Sequence, residues 1–183
     1  MKNVFKFVFI AAIVVLGVWL WFVLFPGPEK IIRKQLTKLA QAVSFSANEG
    51  DLAKLASAQN VAGFFSTNVE VNINLPGHEQ QAFAGRDEIT QAALASRSAV
   101  GGLNVEFPDV NMTVSPDKQS ATADVTVEAK ISGQSDLIVQ EMKFTFEKSE
   151  GKWLIKKVET VRTLSEIRTF DFAHLRAPFI VEA

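Results

Sequence analysis

Few side chains in this chain could carry acid–base or metal chemistry. His78 and His174 are its two imidazoles, and its 183 residues include neither Cys nor Tyr. Composition alone therefore excludes thiolate catalysis, disulfides, Cys-ligated metals and a phenolic proton donor. His78 stands in Pro76-Gly77-His78-Glu79, which reads as an exposed turn tip, and His174 stands in the C-terminal tail. Neither has carboxylates at ligand spacing, so no metal site is expected. The sequence holds no Gly-rich phosphate loop, nucleophile elbow or zinc signature. Accordingly no cofactor is implied and no catalytic residue is assigned. Arg86 has two open roles, pairing with Asp87 or backbone carbonyls at a helix junction, or touching a ligand. Asn111-Met112-Thr113 fits a glycosylation sequon, but it falls mid-strand.

The acids are placed by alternation. Val69, Val71, Ile73 and Leu75 alternate with polar residues and read as a strand with one wet face. Ala121 to Ile131 alternates in the same way, as does the run Ile138, Gln140, Met142, Phe144, Phe146. This phasing sends Glu70, Asp124, Glu128, Glu141 and Glu147 to solvent and leaves Gln140 as the polar exception on an apolar inner face. Leu103 to Phe107 and Val110 to Val114 are out of phase, which predicts a β-bulge at Pro108-Asp109. The last strand, with Trp153, Ile155, Val158 and Val161 inward, slips near Lys156-Lys157. Glu150-Gly151 is a hairpin turn and Ser115-Pro116-Asp117-Lys118 another.

Helices precede these strands. Ile32, Leu36, Leu39 and Val43 form an apolar stripe on a helix opened by Pro28 and Glu29. It is expected to close at Asn48-Glu49-Gly50, with Asp51 capping a second, short helix through Leu52, Leu55 and Ala56. Gln81 to Ala84 makes a short return strand, and a helix follows from Asp87 to just before Gly101-Gly102. Consecutive antiparallel strands after helices predict an α+β domain, helices packed on a curved antiparallel sheet.

Ahead of this domain, Phe7 to Phe25 is a run of nineteen residues without a charged or polar side chain. At about 1.5 Å per helical residue it nearly covers a hydrocarbon core of roughly 30 Å, and Val4 and Phe5 complete the span. A cleaved signal peptide is the competing reading, but Phe25-Pro26-Gly27-Pro28-Glu29 offers no small-residue cleavage site. Residues 4–25 are thus expected to anchor the chain as a single transmembrane helix, giving an anchor at 1–28, a domain at 29–164 and an apolar tail at 165–183. Lys30, Arg33, Lys34 and Lys38 outnumber the charges before the span, which favours a domain inside the cell. The very short leading tail argues for a signal-anchor and a domain on the extracytoplasmic side, which is the orientation expected here. A net charge of −1 gives no electrostatic case for nucleic acid.

Two local patterns resemble one family. Phe83-Ala84-Gly85-Arg86-Asp87-Glu88-Ile89 resembles the strand-to-helix junction of the nuclear transport factor 2-like superfamily. Phe144-Thr145-Phe146-Glu147 through Gly151-Lys152-Trp153-Leu154-Ile155 resembles that family's final hairpin. The element order from about Glu29 to Leu164 is similar as well. The resemblance implies a cone-shaped α+β domain around one apolar cavity, lined here by Phe64, Phe83, Arg86, Gln140, Met142 and Phe144. The superfamily holds enzymes (ketosteroid isomerases, scytalone dehydratase, epoxide hydrolases, polyketide cyclases) and many non-catalytic binding or assembly domains. In many of its cyclase- and isomerase-like members a catalytic acid precedes or opens the first strand, whereas Phe64-Phe65-Ser66-Thr67-Asn68 has none. The expectation is therefore a membrane-anchored, non-catalytic binding or assembly domain, with a homodimer, a membrane protein or a small apolar ligand as partner. Two alternatives stand: an isomerase-, dehydratase- or cyclase-type enzyme on an apolar ligand, and a bitopic subunit of an envelope complex. The latter layout resembles the assembly subunit of type IV secretion systems, without its Asn-Pro-x-Gly pattern. The tail (Ile167, Phe170, Phe172, Leu175, Phe179, Ile180) is expected to pack over the domain's own open face or to dock on a partner.

Overall fold

The computed structural model describes residues 14–16, 27–74, 80–134 and 136–164. His78, His174, the Pro76-Gly77 turn and the tail lie outside the described residues, as does residues 4–25 apart from Val14-Val15-Leu16, which are helical and exposed. Among the described residues no helix is long and apolar enough to cross a membrane.

Helix α1 (Pro28–Val43) starts with Pro28 in the first turn, where a missing N–H costs nothing, and Glu29 beside it complements the dipole. Ile32, Leu36, Leu39 and Ala40 are buried, and Val43 packs against the same core. The helix stops five residues before the expected Asn48. Ser44 turns extended, its hydroxyl donating to the Ala40 carbonyl at 2.8 Å and accepting from the Val105 N–H at 2.9 Å. That exchange lets β1 (Phe45–Ser46), a two-residue strand not foreseen, pair with the strand Gly102–Val114.

Helix α2 (Asp51–Ala62) is longer than expected, and Asp51 is not its cap. Gly50 occupies that position, leaving Asp51 in the first turn, where its charge still favours the dipole. The helix buries its far end, Ala58, Val61 and Ala62, while Leu52 stands 85% exposed. Strands β2 (Phe65–Ile73) and β3 (Gln81–Ala84) pair antiparallel, and α3 (Gly85–Ala99) follows. Strands β4 (Gly102–Val114), β5 (Ser120–Ile131), β6 (Leu137–Ser149) and β7 (Lys152–Leu164) complete one sheet of order β1-β4-β5-β6-β7-β2-β3.

The sheet is not wholly antiparallel: β2 and β7 run parallel. They are joined by no hairpin, so their relative direction is set by where the intervening chain returns rather than by a turn. The bulge between Glu106 and Asp109 and the slip between Thr145 and Phe146, which leaves Lys156 unpaired, fall where the sequence phase breaks. A further bulge between Glu141 and Met142 makes Val161 the extra residue. Val161 therefore faces solvent at 57% exposure instead of pointing inward.

The concave face is filled at one end and open at the other. Ala121, Ala123 and Val125 of β5 meet Phe144 and Phe146 of β6, all 4% exposed or less, under Ile32, Leu36 and Leu39 of α1. Farther along the same face Val127, Ala129 and Ile138 are only half-buried. Alternation thus sets the face, and the reach of the helices sets how much of it is covered.

Candidate functional site

Of the six residues expected to line a cavity, three stand together on β6. Gln140, Met142 and Phe144 are buried inward on one strand, with Phe107 tilted at 57° to Phe144 and 6.1 Å away. Phe83 of β3 is half-buried against the same core. Arg86 lies in the first turn of α3, and its Nε donates to the Phe65 carbonyl at 2.7 Å. That bond ties the α3 start to β2, which is the junction role. Phe64 is half-buried against the same core and also lines a groove beside Trp153.

Gln140 is 4% exposed, and its amide nitrogen donates to the Asn74 carbonyl at 2.9 Å, bracing the end of β2. A buried amide left without a partner would cost about 1–3 kcal/mol, so this bond explains how a polar group is held on an apolar face. Met142 and Phe144 contribute area only. Together these residues can hold an apolar surface.

Among the described residues Asp117 and Lys157 carry displaced pKa values, and both are on the outer surface. Asp117, in the turn after β4, is held below the usual carboxylate range by the Ser115 hydroxyl and then by the Gln119 N–H. Lys157 is raised by its hydrogen bond to Glu159, 2.6 Å away, and by that carboxylate's charge. Exposed pairs of this kind are ordinary surface electrostatics. Among the described residues no group of three or more His, Asp or Glu could hold a metal.

One buried charge escaped sequence reasoning. Arg97, in the last turn of α3, is 5% exposed. Its Nη2 donates to the Ala42 carbonyl at 2.6 Å, and its guanidinium lies 4.9 Å from the Phe45 ring centroid. Its Nε is 3.3 Å from Glu49 Oε2, yet neither atom makes a hydrogen bond. The separation is that of an ion pair while the angle is wrong for N–H donation, so the attraction is between charges. The group clamps α3 to the α1–α2 connection and reaches no part of the concave face described above. No local spacing in the sequence flags it, because its partners lie 48 to 55 positions away.

The outer groove is the second constellation. Lys30, Lys34 and Lys38 line it from α1 and Lys152 from the β6–β7 hairpin, over Ile31, Phe64, Trp153 and Leu154, around a volume of about 650 Å³. The four-residue spacing of the α1 lysines was legible as one helix face. That the hairpin supplies a fourth was not.

No protein-family profile and no curated sequence matches the chain. Its likeness is to solved structures. An NTF2-like protein with a cystatin-like fold from Novosphingobium aromaticivorans is 16% identical, covers 82% of this chain and 88% of its own, and superimposes with a TM-score of 0.57. An NTF2-like protein from Pseudomonas putida KT2440 gives 0.54 at 11% identity, over 70% of this chain and 82% of its own. The yeast UBP3-associated protein BRE5 gives 0.59 at 13% identity, over 78% of this chain and 100% of its own. At such identities the likeness is one of fold, and the domain has the NTF2-like, cystatin-like cone fold, with α+β helices on a curved sheet.

Proposed function

We propose that this is a non-catalytic binding or assembly domain, held at a membrane by residues 4–25, whose open concave end takes an apolar ligand or an apolar segment. The observation that carries it is how the inward polar groups are used. Gln140 and Arg86 each donate to a backbone carbonyl, and the remaining inward residues of β5 and β6 are aliphatic or aromatic. Such a surface offers burial and shape, the terms that dominate apolar recognition, and little that could move a proton. The half-buried residues Val127, Ala129 and Ile138 mark where an occupant would gain most.

A photo-crosslinker at position 127 or 138 of the full chain in its membrane tests this, with position 122 on the outer face as control. Capture of a lipidic molecule or a protein from the inner positions alone is the expected result. Capture of a small molecule that the purified chain then converts would replace this reading with a catalytic one, and labelling indistinguishable from position 122 would overturn it. Release of the chain by alkaline carbonate would separately overturn the membrane tether.

A further inference from the structure

The lysine-lined groove lies at the hairpin end of β6 and β7, away from Val127, Ala129 and Ile138, and calls for an occupant of different chemistry. Lys30, Lys34 and Lys38 are all exposed on one side of α1, and Lys152 is exposed opposite them. Among the described residues none of these four ammoniums is ion-paired with a carboxylate, whereas Lys54, Lys143, Lys156 and Lys157 each are. Among the described residues no acid lines the groove. Its floor is apolar, with half-buried Phe64 and Leu154 beside buried Trp153 and exposed Ile31.

The groove is also built rather than incidental. Gln35 Nε2 donates to the Trp153 carbonyl at 2.7 Å, fixing α1 to the hairpin. The Ile155 N–H donates to the Phe64 carbonyl at 3.0 Å, fixing the third wall. The hairpin tip holds Glu150 and Gly151 at φ of 49° and 79°, which sets Lys152 opposite the lysine row. A volume of about 650 Å³ falls within the roughly 300–1,000 Å³ of small-molecule sites.

Position along the chain identifies the occupant. Lys30 is the fifth residue after Phe25, the end of the apolar run. Five residues reach at most about 17 Å even when fully extended, so the lysine row starts near the membrane boundary whatever path the chain takes. We propose that the groove binds an anionic phospholipid of the membrane that holds the chain. The lipid phosphate would sit among Lys34, Lys38 and Lys152, and an acyl segment would lie over Phe64, Leu154 and Ile31. Lysine suits this role as a flexible point charge, and its aliphatic stem can cover apolar surface. The proposal rests on the membrane reading above, and carbonate extraction tests that reading independently.

The test is a lipid titration of the purified full chain in a neutral detergent, read by native mass spectrometry. Phosphatidylglycerol is the probe, phosphatidylcholine the neutral comparison and inorganic phosphate the competitor. The wild type is expected to retain phosphatidylglycerol at least tenfold more tightly than phosphatidylcholine, with retention falling as salt rises. The variant Lys34→Gln/Lys38→Gln/Lys152→Gln is expected to lose at least tenfold in phosphatidylglycerol binding and to keep the wild-type melting temperature, since all three side chains are exposed. Equal retention of the two lipids, or unchanged binding in the variant, would overturn the proposal. Full displacement by millimolar phosphate would overturn it as well, by making this a site for a free anion.

Discussion

At the scale of single residues, the largest stake rests on Arg97. Its side chain is 2% exposed while that of Glu49 is 25% exposed, so the pair is buried on one side and wet on the other. Removing the guanidinium strands the Ala42 carbonyl, leaves Glu49 facing a void and strips the Phe45 ring of its cation. Breaking a fully buried pair costs about 3–5 kcal/mol, and the partial exposure of Glu49 moves the estimate for Arg97→Ala to the low end, about 3 kcal/mol. Arg97→Met with Glu49→Gln keeps most of the volume and removes the orphaned charge, so it should recover part of that loss. Denaturant unfolding of both variants measures the difference, and equal stability would mean that the cost is packing alone. Gln140 and Arg86 use their polar atoms differently: each donates to a backbone carbonyl and so braces the fold.

At the scale of elements, Gly85 shows how one backbone position joins two of them. It holds φ at +80° between β3 and α3, a region that L side chains avoid, while Glu88 accepts from the Ala84 N–H at 2.7 Å to finish the helix start. An added Cβ would sit 3.5 Å from the Thr67 carbonyl, an ordinary contact, so the penalty for Gly85→Ala is conformational. It should destabilise by about 1–2 kcal/mol in thermal melts, whereas Gly101→Ala, with open space and no positive φ, should be neutral or slightly stabilising. The sequence carried the Gly-Arg-Asp junction, the inner-face alternation of β5 and β6 and the register shifts at Pro108-Asp109 and Lys156-Lys157, because each is written in a local phase. It did not carry β1, the early stop of α1 or the bulge at Val161. Those depend on which strand lies alongside: Ser44 leaves its helix to meet Val105, and Val161 is displaced by the register of β6. The candidate cavity was legible only in part for the same reason. Gln140, Met142 and Phe144 share one strand, whereas the placement of Phe64 and the lysine-lined groove depends on how α1 meets the final hairpin.

At the scale of the whole molecule, burial along the concave face falls from one end to the other, and the chain leaves the sheet at the exposed end. Leu164 pairs with Val139 and Thr163 with Gln140, so β7 finishes beside half-buried Val127, Ala129 and Ile138. From that point residues 165–183 carry Ile167, Phe170, Phe172, Leu175, Phe179 and Ile180, an apolar content that a solvated linker does not need. Nineteen residues reach farther than the 13-residue strands they would cross, so length sets no obstacle. If the segment returns over the face, burying two of its aromatic side chains contributes about 3 kcal/mol or more before ordering costs. Deleting 165–183 from the full chain should then lower the melting temperature by more than about 5 °C. It should also speed amide exchange at 127–131 and 137–139 while leaving 121–125 unchanged. If the segment instead serves a partner, the deletion leaves both the melting temperature and the exchange pattern of the isolated chain as they were. A crosslinker at position 127 would then capture that partner in the membrane only when 165–183 is present. The two outcomes separate a domain that closes its own open end from one that offers it together with the tail.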